Sequence, residues 1–201
     1  MNAKRAKGDK TPKSERKPGK VKGKVKNATK LARTMLGRVI MGRHANGMRR
    51  VAITGMGTIN ALGRDVPSTL EAMREGRCGI GPLEFRDVER LAIRIGGQVR
   101  DWEAETYFNR QQIVLYDKFT QFTLLAAREA VTQSGLVFEG ELGLRAGVVL
   151  GTAAGGMTTW DENYRTVYEE GKNRVHPFVV PKLMNNAACS HLSMEYGLLG
   201  P

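Results

Sequence analysis

The sequence predicts an α/β domain with a basic extension in front of it, and three observations carry that prediction. Short β-branched runs, Val51-Ala52-Ile53-Thr54 and Ala146-Gly147-Val148-Val149-Leu150, alternate with stretches of helical periodicity. Glycines cluster where those runs end, at Gly55-Met56-Gly57 and Gly151 to Gly156. Charge and aromatic content also change sharply near residue 48. Of the 32 Lys and Arg residues, 17 lie in the first 50 positions, opposed only by Asp9 and Glu15, a balance of +15. The overall +12 therefore leaves −3 on residues 51–201, and every Phe, Trp and Tyr lies at Phe85 or later.

A chain of 201 residues with 41% apolar content can form one domain plus a tail. No apolar run approaches the ~18 residues of a membrane span, and no secretory signal pattern stands at the start. Two cysteines, Cys78 and Cys189, are too few for a disulfide framework or a four-ligand zinc site. The expectation is a cytoplasmic protein that binds no metal and needs no cofactor.

Residues 1–47 form the expected tail. Lys, Gly and Pro dominate from Met1 to Asn27, where like charges repel and little apolar surface exists to bury, so disorder is expected. From Lys30 to Met41, Leu31, Ala32, Met35, Leu36, Val39 and Ile40 recur at helical spacing, giving a short basic amphipathic helix weakened by Gly37. Its lysines suit nucleic-acid phosphates, an anionic membrane surface or an organelle transit peptide. No aromatic residue is present for base stacking, and Ser14 is the only serine there. A solvated extension, or an over-called start codon with Met48 as the second start, is the simpler alternative.

Within residues 48–201 the elements read in order. Val51 to Thr54 is a strand ending in Gly55-Met56-Gly57, the opening of a dinucleotide-binding fingerprint except that Asn60 stands where its third glycine belongs. Asp65 to Gly76 is a helix capped by Asp65, with Pro67 in its first turn and a stripe of Val66, Leu70 and Met73. Residues 91–99 alternate as a strand. Asp117 to Ser134 is the clearest helix, with Phe119, Phe122, Ala126, Ala130 and Val131 on one face and Gly135 at its end. Ala146 to Leu150 reads as a buried strand. It breaks into Gly151-Thr152-Ala153-Ala154-Gly155-Gly156 before a helix running to about Glu170. Such a join offers free amides to an anion or a thioester tail, but without the Gly-Lys-Ser/Thr ending the pattern favours close packing. His176 to Pro181 is extended by its prolines, and Lys182 to Tyr196 is a helix with Leu183, Ala187 and Met194 toward apolar neighbours.

These residues hold no convincing catalytic constellation. Cys189 and His191, two apart on a helix, point about 200° from each other and cannot pair within it. Cys189 reads as a small core residue, and Cys78 lies in a turn without a nearby base. His44, His176 and His191 show no metal-ligand spacing.

Several motifs together carry a family resemblance. Arg49-Arg50-Val51-Ala52-Ile53-Thr54-Gly55-Met56-Gly57 with Gly63 resembles the opening strand of the elongating β-ketoacyl-acyl carrier protein synthases. So do the turn Gly76-Arg77-Cys78-Gly79-Ile80, usually with Ser at the third position, and the Asp117 helix with Ser134-Gly135-Leu136. Gly147 to Thr152 with Gly155-Gly156, Pro177-Phe178-Val179-Val180-Pro181, the His191 helix and Tyr196-Gly197-Leu198-Leu199-Gly200-Pro201 complete it from about Met48 to the last residue.

The resemblance implies a thiolase-like layered αβα fold of which residues 48–201 form the N-terminal half only, cut before the nucleophilic cysteine. It implies an acyltransferase in which that cysteine takes an acyl group from a carrier-protein thioester. Malonyl-carrier protein then loses carbon dioxide and its carbanion attacks the acyl group, a Claisen condensation of fatty-acid or polyketide synthesis. The cysteine and the catalytic histidines fall beyond Pro201, so the chain alone is expected to be inactive. By resemblance Ala154, Phe178 and Val179 line an acyl pocket, Ala154 and Val179 being smaller than the usual residues. Asn185, Asn186 and Ala188 lie near a dimer interface. The implied partners are acyl carrier protein and a second or related subunit. A chain-length-factor-like subunit without the nucleophile, or a basic-tailed binding protein, are the competing readings.

Overall fold

The computed structural model describes residues 51–201, nearly all of them in the unit Ile53–Pro201. The disorder and the Lys30–Met41 helix expected in the tail lie outside the described residues, as do the nucleic-acid and membrane readings attached to them.

Helix α1, Val66–Arg74, begins where Asp65 accepts a hydrogen bond from the Ser68 amide at 2.7 Å, and Gly76 follows its end at φ +68°. Its buried residue is Ala72, whereas Leu70 and Met73 are exposed. The expected apolar stripe is thus not the packed face. The preceding loop lies instead over the polar side, where Gly63 abuts Ser68 and Thr69 and the Asn60 amide donates to Thr69 Oγ1 at 3.1 Å.

Strands β1, Ile80–Pro82, and β2, Ile95–Gly97, pair antiparallel with Ile80 opposite Gly97. The strand expected over 91–99 is confined to those three paired residues. Helix α2, Arg110–Leu115, was not legible from apolar spacing; a reciprocal cap between Asn109 and Gln112 starts it.

Helix α3, Lys118–Ser134, matches expectation at both ends, with Asp117 capping it and Gly135 terminating it at φ +64°. Its buried residues are Thr120, Gln121 and Leu124 rather than the aromatic and alanine stripe, which is only half-buried. Both sides are nevertheless packed. A methyl group on Gly57 or Gly55 would overlap the carbonyl oxygen of Ala126 or Ala130, so only glycine lets the backbone pass there. Side chains of α3 satisfy amides along that segment and its continuation: Gln133 accepts from Met56 N–H at 2.6 Å, and Glu129 from Thr58 N–H at 2.9 Å and Val66 N–H at 2.7 Å.

Helices α4, Glu141–Arg145, and α5, Met157–Tyr168, follow. The continuous helix expected over Lys182–Tyr196 is two: α6, Val179–Leu183, and α7, Ala187–Tyr196, separated by Met184 at ψ +142°. Val179 to Pro181, expected to be extended, form the first turn of α6. Pro181 is tolerated there because a first-turn residue needs no N–H partner.

The core gathers Phe108, Leu124 and Leu192, with Trp102, Tyr107, Ile113, Tyr116 and Tyr196 among the residues packed around them. Arg128 of α3 makes two bonds to Glu195 of α7, at 2.6 and 2.9 Å, and its guanidinium lies 5.1 Å from the Phe108 ring centre. The runs expected as strands, 51–54 and 146–150, form no ladder. Val51 is 93% exposed, Ile53 84% and Val149 fully so, contrary to the expectation of a buried strand over 146–150. A strand needs a neighbour for its backbone groups, and among the described residues segment 146–150 finds only Gly200, whose amide donates to Ala146 at 2.8 Å.

Candidate functional site

The glycine-rich segment 151–156 bends through Gly155, at φ +63°, where Thr152 Oγ1 accepts from the Gly155 amide at 3.2 Å. It then runs against the end of α6. The Gly156 amide donates to Leu183 O at 3.0 Å, and a Cβ on Gly155 or Gly156 would come within 2.8 Å of Leu183 atoms. The close-packing reading of these two glycines holds: their missing side chains are what let two backbones meet.

Helix α5 starts at that contact. Its N-cap position is Gly156, which has no side chain to offer. The carboxylate of Asp117 takes the role. Its Oδ2 accepts from Thr159 N–H at 2.7 Å and Thr159 Oγ–H at 2.6 Å, and its Oδ1 accepts from Phe119 N–H at 3.2 Å. Asp117 and Thr159 are 3% and 2% exposed, so three donors offset the desolvation of one buried acid.

Two clefts open beside this junction. One, about 330 Å³, is bounded by Trp102, Ile113, Tyr116, Asp117 and Gln121. The other, about 250 Å³, is bounded by Val114, Asn163, His176, Phe178 and Val179. Thr159, Glu162 and Lys182 border both. Both clefts are open, and polar and apolar groups share their linings.

Of the residues expected at an acyl pocket, the structure brings Phe178 and Val179 together on the second cleft. Ala154 borders neither cleft and is exposed on the glycine-rich segment. Asn185 and Asn186 are exposed, whereas Ala188 is completely buried within the chain and leaves no surface for a partner. Cys189, expected in the core, is half-buried with its Sγ 3.1 Å from Asn186 O, and exposed Cys78 has its Sγ 3.8 Å from Ile80 O. His191 rests on the Tyr116 ring at 4.5 Å between centres, and burial holds its pKa below the ordinary histidine value. His176 Nδ1 accepts from Phe178 N–H at 3.2 Å. Among the described residues no group of three or more His, Cys, Asp and Glu gathers as a metal site, and no helix is long and apolar enough to cross a membrane.

Sequence reading missed the second duty of Asp117. The one local signal was an acid at the N-cap of α3; that the same carboxylate serves α5 depends on an approach between residues 42 positions apart.

Residues 48–201 match the family described as "Beta-ketoacyl synthase, N-terminal domain". A 3-oxoacyl-[acyl-carrier-protein] synthase 2 of Staphylococcus aureus (strain N315) is 33% identical over 153 residues, covering 76% of this chain and 37% of that protein. The chain thus spans under two fifths of that relative's length. Among solved structures, the ishigamide ketosynthase/chain length factor superposes with a TM-score of 0.63 at 24% identity, covering 76% of this chain and 38% of that one. A type II PKS acyl-carrier protein in complex with its ketosynthase, bound to the hexaketide, gives 0.60 at 22% identity, covering 76% and 40%. At such identities the two structures speak for the fold, which is that of the ketosynthases. The family match over three quarters of the sequence places the chain in the β-ketoacyl synthase family, with residues 48–201 matching its N-terminal domain.

Proposed function

We propose that this chain is the front part of a β-ketoacyl-acyl carrier protein synthase, an acyltransferase that joins malonyl-carrier protein to an acyl thioester with loss of carbon dioxide. The family match over residues 48–201 is the observation that carries the reading. In it, residues 1–47 are a basic tail and residues 48–201 contribute outer helices and several strands to a layered αβα core. The open apolar surface at Val51, Ile53, Val149 and Leu199 supports that arrangement, since such surface is ordinarily covered by further strands or helices.

The chemistry divides accordingly. The nucleophilic cysteine and the catalytic histidines are supplied beyond Pro201, and residues 48–201 shape the acyl site. Phe178 and Val179 offer apolar surface at the 250 Å³ cleft; Ala154, exposed on the glycine-rich segment and outside that cleft, is assigned to the acyl site by resemblance alone. Small side chains at 154 and 179 leave room for long or bulky acyl groups. Asn185 and Asn186 lie toward a second subunit, the substrates arrive on acyl carrier protein, and the setting is cytoplasmic.

A second reading, a non-catalytic subunit of the chain-length-factor type, is favoured by the ketosynthase/chain length factor among the structural neighbours. One assay separates the two. The full-length protein, given an acyl-carrier-protein thioester and malonyl-carrier protein, releases carbon dioxide and forms a 3-oxoacyl product under the first reading. Ala154→Ile and Val179→Phe then shorten the longest chain accepted. Absence of product from the protein alone, with product appearing only when a related ketosynthase is added, establishes the second reading instead.

A further inference from the structure

We propose that Asp117 is a positioning residue for the acyl-site wall, acting through the glycine-rich segment rather than on substrate; the inference rests on the reading above. An ordinary N-cap serves the helix it precedes. Here one buried carboxylate is divided between two helices, Oδ1 serving the first turn of α3 through Phe119 N–H and Oδ2 serving α5 through both donors of Thr159. The cap of α5 must come from elsewhere because its own N-cap residue is Gly156. That glycine cannot be exchanged for a residue with a capping side chain, since a Cβ there would lie 2.7 Å from Leu183 Cα, 2.8 Å from Lys182 O and 3.3 Å from Asp117 Cβ.

Gly156 is therefore held between two fixed bodies. On one side stands Asp117, anchored at the start of the 17-residue α3; on the other, α6 receives the Gly156 amide at Leu183 O, 3.0 Å away. Residues 151–155, which include Ala154, hang from this point, and α6 begins with Val179. The glycine-rich segment and α6 thus meet at Gly156, three residues before the Thr159 that the Asp117 carboxylate holds. The three donors use its acceptor capacity in a way that no amide can copy. An asparagine has one acceptor oxygen and would turn an NH₂ toward either Phe119 N–H or the Thr159 donors, so one helix end loses its cap.

The test uses the full-length protein. In Asp117→Asn, hydrogen-exchange protection of the Gly156 amide falls about tenfold or more, while that of Leu192 in α7 stays as in the parent. The ratio of kcat/KM for long against short acyl chains shifts by a factor of about five or more, the signature of a displaced wall rather than of lower stability. Thr159→Ser, which keeps both donors, behaves as the parent. Thr159→Val, which removes one donor and keeps the carboxylate, gives a smaller shift in the same direction and serves if Asp117→Asn does not fold. Unchanged protection at Gly156, or a chain-length ratio within about twofold of the parent, in Asp117→Asn (or in Thr159→Val where Asp117→Asn does not fold) overturns the inference. A parent protein with no condensing activity overturns the proposed function instead, and the exchange comparison alone then decides whether Asp117 positions the segment.

Discussion

Leu124→Ala is the most direct probe of how this domain is held together. Leu124 has no exposed surface and meets Phe108 and Leu192, which are 4% and 7% exposed, so the substitution acts where α3 and α7 share their apolar contact. Shortening the side chain removes three carbons from that contact, about 2.4 kcal/mol at roughly 0.8 kcal/mol for each buried methylene. The surrounding rings are Trp102, Tyr107 and Tyr116, stiff side chains that close poorly over a void, and residual cavity adds about 1 kcal/mol. The expected loss is about 3.5 kcal/mol. In a urea titration of the full-length protein with a slope near 2 kcal/mol per molar, the midpoint falls by about 1.7 M. Met194→Ala, at a position 68% exposed on α7, stays within about 0.5 kcal/mol of the parent and serves as the control. A Leu124→Ala loss below about 1 kcal/mol would show that the site relaxes freely and that the cluster is not the core.

Two further expectations follow from individual contacts. A double-mutant cycle on Arg128 and Glu195 gives a coupling of about 1–2 kcal/mol, above the range of exposed pairs, because the bond is bidentate and the side chains are only 32% and 27% exposed. A coupling near zero in chemical denaturation would demote the pair to an incidental surface contact. Asp65→Ala costs about 1 kcal/mol near pH 7 in thermal melts, as the loss of an N-cap does. The Ser68 hydrogen bonds hold the Asp65 carboxyl below the usual 3.8. Its folded pKa is the lower one, so the contribution is present above 3.8 and disappears as pH falls through the folded value. A difference between Asp65→Ala and parent that persisted unchanged well below pH 3.8 would rule out the carboxylate as its source.

What the sequence made legible follows the range of the signals. Asp65 and Gly76 bound α1, and Asp117 and Gly135 bound α3, because caps act on backbone groups within one turn and need no tertiary information. The face of α3 was read one stripe away from its most buried residues. Gln121 is buried only because it accepts from Trp102 Nε1 at 2.8 Å and donates to Tyr116 O at 3.1 Å, partners that spacing cannot reveal. The runs at 51–54 and 146–150 have strand composition, but a ladder is a property of two segments, and composition describes one. The break at Met184 likewise eluded periodicity, since residues on both sides of it have helical spacing. At the candidate site, resemblance names Ala154, Phe178 and Val179; the last two, neighbours in sequence, line one cleft, and Ala154 lines neither. The clamp by Asp117 could be read only once α3 and α5 were seen to converge.

Under the proposed function, residues 48–201 are one part of a larger protein whose remaining part covers their open apolar surface. Amide hydrogen exchange at Ile53 and Val149, compared between the 201-residue chain alone and the same residues within the full-length protein, tests this claim most directly. Both positions now present nearly bare side chains, 84% and fully exposed. Within the full-length protein their protection is expected to rise by at least about a hundredfold, as for strands taken into a core. Equal protection in the two contexts would contradict the claim, since it would leave this surface uncovered when the whole protein is present.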